Sequence, residues 1–175
     1  MNGIDVAFES SKVQIAGLVV SEVSPGYHHW NATKSLPEWL CEHGVPAMSG
    51  VDTRAVTKRL REDGSMLGKI LSGEDDIQFY DPNKQNLASL VSVREPVLYP
   101  AGKKRVVVVD CGCKNSIIRN LIDRDVTVLK VPWDYDFHQE EFDGVLVSNG
   151  PGDPKMCHPT IGQVFHHVTK PRLCR

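Results

Sequence analysis

The sequence predicts an α/β protein with an open sheet flanked by helices. Two observations carry this. Arg105-Val-Val-Val-Val109 is a continuous apolar run of strand length, the pattern of a strand buried on both faces. After it, strand and helix patterns follow as strand, helix, strand, strand, helix, which opens an α/β sheet with helices on its faces. A third observation sets this zone apart: the preceding stretch, punctuated by Pro and Gly, separates it from an amino-terminal zone of shorter elements.

In the amino-terminal zone, Val13, Ile15, Leu18, Val19 and Val20 make a strand-like stretch, and Ser24-Pro25-Gly26 a turn. Thr33 or Ser35 can cap a helix with Leu36, Trp39 and Leu40 on one face, ended by Gly44 and Pro46. A second helix follows the cap Asp52-Thr53. Its Val56 and Leu60 are expected to face inward, with Arg54, Lys58, Arg59 and Arg61 outward, and Asp63-Gly64 stops it. From Ser72 to Lys104 periodicity fades among Asp81-Pro82-Asn83, Pro96 and Pro100-Ala101-Gly102, so this segment reads as a linker.

Beyond it, Arg105–Val109 is the first strand. Asn115 or Ser116 can cap a helix bearing Ile117, Ile118, Leu121 and Ile122. Val126–Val131 makes a second strand, ending at Pro132, and Gly144–Ser148 a third. Ile161, Val164, Phe165 and Val168, at i, i+3, i+4 and i+7, make an amphipathic helix. The expected division is 1–71, a linker over 72–104, and 105–175.

Composition narrows the function. The chain has 175 residues, 41% of them hydrophobic, and a formal charge of −2. It can bury a core, and it carries no global field for nucleic acid. The longest apolar runs, Ile15–Val20 and Val106–Val109, fall far short of the ~20 residues a membrane span needs. No secretory signal is visible over Met1–Gln14, so the sequon Asn31-Ala-Thr33 carries no weight. Five irregularly spaced cysteines (Cys41, Cys111, Cys113, Cys157, Cys174) suit free thiols in a reducing, cytoplasmic setting.

Two strand ends could carry chemistry. Ser148-Asn-Gly-Pro-Gly-Asp153 follows a buried strand, where open α/β sheets bind ligands and glycines let backbone approach closely. Position and composition alone favour a plain Gly-Pro turn. Asp110-Cys-Gly-Cys-Lys114 invites a metal or redox reading. No second ligand cluster accompanies it, and His28-His29, His166-His167 and Cys157-His158 do not complete one, so packing is favoured and no metal is expected. No cysteine sits in a G-x-C-x-G elbow.

These pieces resemble the glutamine amidotransferase (small) component of carbamoyl-phosphate synthetase. In the first zone the resemblance rests on Phe8-Glu-Ser-Ser11, Ile15–Val20, His29-Trp-Asn-Ala-Thr33 and Gly50-Val-Asp-Thr-Arg54, continuing through Leu60-Arg-Glu62, Gly64 and Gly68-Lys69. In the third it rests on Val109-Asp-Cys-Gly112, Lys114-Asn115, Ile118-Arg119, Val131-Pro-Trp133, Phe142-Asp-Gly144 and Ser148–Pro154, in the family's order. The style is closest to the form fused into the eukaryotic multifunctional pyrimidine-synthesis protein. The ordered matches reverse the preference for a plain turn.

The resemblance implies a partial small-subunit amino-terminal domain followed by the first strands and helices of a class I glutaminase sheet. It implies hydrolysis of glutamine at a cysteine nucleophile. The ammonia passes to a synthetase large unit, fused or separate, which uses ATP and Mg to make carbamoyl phosphate for pyrimidine or arginine biosynthesis. Gly150 and Gly152 match its glutamine and oxyanion loop, and the first zone resembles the part that docks on the synthetase. The family's early glutamine-contacting serine, its nucleophile elbow and its later His and Glu have no match here. Lys170-Pro-Arg-Leu-Cys-Arg175 stands where the elbow is due, and Cys174 matches it in neither neighbours nor offset.

The expectation is therefore a chain truncated at both ends, inactive alone, marginally stable and prone to aggregate through an unfinished sheet. The alternative is a non-catalytic short product that binds the synthetase unit. Asp125 stands where the family closes a helix with glycine, and an Asp tolerates that left-handed backbone better than most residues.

Overall fold

The computed structural model describes residues 8–30 and 32–169. They fall into two units: residues 10–80, and residues 8–9 with 81–169. Asn31 of the sequon and Cys174 lie outside the described residues.

In the unit of residues 10–80, two short parallel strands, β1 (Leu18–Val19) and β2 (Ala47–Met48), pair Leu18 with Ala47 and Val19 with Met48. The strand expected over 13–20 is reduced to two residues, since β2 offers a partner only that long. Helix α1 (Leu36–Glu42) begins at Ser35, the second of the two expected caps. Ser35 Oγ accepts the Glu38 N–H, and the Glu38 carboxylate accepts the Ser35 N–H at 2.8 Å, a reciprocal capping box. Helix α2 (Thr53–Asp63) starts at Asp52, whose carboxylate accepts the Ala55 N–H at 2.9 Å, and ends at Gly64 with φ of 81°. Contrary to expectation, Val56 and Leu60 are exposed, and α2 buries no residue. Periodicity reports an amphipathic face, not what covers it. Leu40 is the one fully buried apolar side chain among this unit's described residues.

The other unit holds a four-stranded sheet. Its strands are β3 (Val97–Tyr99), β4 (Lys104–Asp110), β5 (Val126–Pro132) and β6 (Gly144–Val147), in spatial order β3-β5-β4-β6. β4 pairs in parallel with β5 and β6, whereas β3 runs antiparallel to β5. Helix α4 (Asn115–Ile122) makes the crossover from β4 to β5.

Alternate residues of β4 serve opposite faces, as the two-residue period requires. Val108 joins Ile118, Val128 and Cys113 under α4. Val107 and Val109 join Cys111, Leu129, Val131, Phe137 and Ala88 on the other side. The segment expected as a linker over 72–104 is partly folded into this unit. Helix α3 (Leu87–Val91) buries Ala88, and β3 extends the sheet. Both are too short to leave a periodic signature, so the Pro and Gly residues around them dominate the sequence pattern.

One further expectation changes. Asn115 and Ser116 do not cap α4. Lys114 holds the cap position without a side-chain bond. Helix α5 (His158–Thr169) forms where the pattern placed it, but Ile161 and Phe165 are exposed, while its polar Thr160 is buried and donates to the Trp133 carbonyl. The Val168 side chain lies outside the described residues. Asp125 does adopt the left-handed backbone, with φ of 57°. Among the described residues no helix is long and apolar enough to cross a membrane.

Candidate functional site

The chain leaves β4 for β5 on one side and later returns to place β6 on the other. The carboxyl ends of β4 and β6 therefore flank a topological switch point, the place where open α/β sheets form a ligand crevice. Both chemical candidates from the sequence, 110–114 and 148–153, meet there.

Asp110 organises the first loop. It is 1% exposed, and its carboxylate has four partners. Oδ1 accepts the N–H groups of Gly112 (3.0 Å) and Cys113 (2.7 Å). Oδ2 accepts the Val93 N–H (2.9 Å) and pairs with Lys130 Nζ on β5 at 3.0 Å. A buried carboxylate with four partners has its hydrogen-bonding capacity met inside the core. Ser148, at the end of β6, ties the loops together: its Oγ accepts the Cys111 N–H at 3.0 Å and donates to the Asn149 carbonyl at 2.8 Å.

Both loops then approach to a distance only glycine permits. A Cβ on Gly150 would lie 2.0 Å from the Cys111 carbonyl oxygen. A Cβ on Gly112, whose φ is +125°, would lie 2.9 Å from Pro151. Gly152 turns the chain with φ of +82° beside Leu87 of α3. From the other flank, Asn86 donates to the Met156 carbonyl at 3.1 Å, anchoring α3 to the turn that follows the loop.

Cys111 and Cys113 are not placed to act together. They sit in different core clusters, on opposite faces of the sheet. Burial pushes both thiols up to about 11, so they stay protonated at neutral pH. No group of three or more His, Cys, Asp or Glu among the described residues is placed to hold a metal ion. The organising side chains are Asp110 and Ser148, which open the two motifs, and not Cys111 or Cys113. The available signal was an acidic residue closing an otherwise apolar strand.

Comparison with known proteins finds two family models in succession along the chain. Residues 1–70 match the family model of the carbamoyl-phosphate synthase small chain, CPSase domain, and residues 107–171 that of the class-I glutamine amidotransferases. The chain belongs to the carbamoyl-phosphate synthase family. Within that family it is the small-chain and amidotransferase region, 46% identical over 173 residues to the multifunctional protein CAD of Squalus acanthias. It is 47% identical over 163 residues to the mitochondrial carbamoyl-phosphate synthase [ammonia] of Homo sapiens. To the carbamoyl phosphate synthase arginine-specific small chain of Neurospora crassa it is 46% identical over 163 residues. These alignments cover 97%, 93% and 88% of this chain, but 8%, 11% and 36% of the respective relatives. The chain thus spans about a third of the length of the arginine-specific small chain and about a tenth of the length of the other two relatives.

Proposed function

We propose that the loop 148–153 binds glutamine, and that this chain serves a carbamoyl-phosphate synthase by supplying ammonia from glutamine to a synthetase unit. The observation that carries the reading is the interlocked pair of strand-end loops at the switch point, with Gly150 held against the Cys111 carbonyl. Backbone N–H groups of such a loop are fixed before substrate arrives. They can therefore stabilise an oxyanion without reorganisation. Gly150 and Gly152 are the residues assigned to glutamine and oxyanion binding. The names of the relatives include both an ammonia-specified synthase and an arginine-specific small chain, so glutamine as the nitrogen source is part of the proposal.

Catalysis needs a thiolate that the cysteines of the strand-end loop 110–114 do not supply. Cys111 and Cys113 are buried and protonated, and Cys41 belongs to the other unit. Accordingly the 175-residue chain is proposed to bind glutamine without hydrolysing it. Residues 1–71 are assigned to docking on the large synthetase unit, where ATP and Mg act. The exposed Val56 and Leu60 of α2, with Arg54, Lys58 and Arg61 on the opposite side of the helix, support that assignment. Residence is proposed to be cytoplasmic, which fractionation of the source cells tests against mitochondrial residence.

The test is a glutamine titration of the purified chain followed by nuclear magnetic resonance, with ammonia release assayed in parallel. Saturable shifts at Gly150 and Gly152, absent in Gly150→Ala, and no ammonia, are expected. Gly150→Ala should also cost about 1–3 kcal/mol of stability, because the new methyl overpacks the Cys111 carbonyl. Shifts confined elsewhere, or ammonia release by the chain, would overturn the assignment.

A further inference from the structure

Helix α4 receives its missing cap from Glu9, more than a hundred residues earlier in the chain. The Glu9 carboxylate accepts the Ser116 N–H at 2.9 Å through Oε2 and an Arg119 guanidinium N–H at 2.9 Å through Oε1. The Glu9 carbonyl accepts the Asn115 N–H at 3.0 Å, and the Asn115 side chain donates to the Phe8 carbonyl at 3.1 Å. An anionic side chain at a helix amino terminus satisfies orphaned N–H groups and complements the helix dipole. These bonds and Arg119 hold the Glu9 carboxyl below the usual carboxylate range.

The position of this clamp gives it a second role. Residues 110–116 form one span between β4 and α4. Asp110 pins its near end through Gly112 and Cys113, and Glu9 pins its far end through Asn115 and Ser116. Between the two pins lie the Cys111 carbonyl and Gly112, the surfaces against which Gly150 and Pro151 rest with no room for a methyl group. Loosening the far pin lets the span shift, and the loop 148–153 has no free space in which to stay behind. We infer that Glu9 is a positioning residue for the glutamine loop, acting through α4 and the span 110–116; this rests on the assignment of glutamine to that loop.

The test compares the 175-residue chain with its Glu9→Ala and Glu9→Gln variants by amide nuclear magnetic resonance and glutamine titration. In Glu9→Ala, amide shifts are expected at Asn115, Ser116 and Gly112, and also across the interlock at Gly150 and Gly152. Gly68 in the other unit and Gly144 at the start of β6 should not move. Glutamine affinity should fall by about 2- to 30-fold, the usual size of an indirect coupling. Glu9→Gln keeps an acceptor for Ser116 but loses the charge facing Arg119. It should give smaller changes at the same residues, and it decides the matter if Glu9→Ala does not fold. Changes that stop at residues 115–119 would make Glu9 a local cap and overturn the inference. If the wild-type chain binds no glutamine, the functional assignment fails, while the shift pattern still decides whether Glu9 positions the loop.

Discussion

Asp110 shows how much one side chain can hold in place. Replacing it with Ala would leave Lys130, 12% exposed, without its counter-charge and orphan the N–H groups of Val93, Gly112 and Cys113. Breaking a buried pair in this way costs about 3–5 kcal/mol. Urea denaturation of Asp110→Ala should show that loss, and Lys130→Met less, since the carboxylate keeps its three N–H partners. The buried thiols give a pH signature. The folded state holds Cys111 and Cys113 as thiols up to about pH 11, whereas the unfolded chain ionises near 9. Their contribution to stability is therefore complete below pH 9 and is lost as pH rises through 11. Denaturation midpoints should fall across that window, more than in a Cys111→Ala, Cys113→Ala double variant compared at the same pH values. In an alkylation time course at pH 8, exposed Cys41 should react well before either.

At the level of elements, short-range signals proved readable and long-range ones did not. Ser35 and Asp52 cap α1 and α2 through atoms three residues away, and a sequence displays such motifs directly. Ser35→Ala should lower stability of the unit of residues 10–80 by about 0.5–2 kcal/mol in chemical denaturation, since it removes an N-cap acceptor. The cap of α4 could not be read the same way. Asn115 and Ser116 are suitable residue types, but Glu9 had already taken the role, and no local pattern encodes a partner 107 positions away. Helix α3 and strand β3 were hidden for a related reason. Five and three residues are too few for a period, and their existence depends on the sheet they join.

For the whole molecule, the α/β class and the site's two loops were legible, while their meeting was not. Each loop follows an apolar strand in the sequence, but the order β3-β5-β4-β6, which brings the ends of β4 and β6 together, is a property of pairing alone. Apolar side chains remain exposed on β6 and on α5. Val147 of β6 and Ile161 and Phe165 of α5 are exposed, Phe165 by 68%. Such residues on one unit favour self-association. Phe165→Glu should reduce light scattering of concentrated solutions while shifting stability by no more than about 0.5 kcal/mol, as surface substitutions usually do.

The clamp at Glu9 also bears on how this molecule could be divided. By sequence Glu9 belongs to the stretch that matches the small-chain domain, residues 1–70, yet in space it belongs with the sheet. The two modules are thus not consecutive beads. One is threaded into the other between Glu9 and Asp81. A polypeptide started at Asp81 would have every strand of the sheet but would leave the amino terminus of α4 bare. Cutting at the boundary suggested by sequence similarity would sever a bond network that the boundary does not reveal.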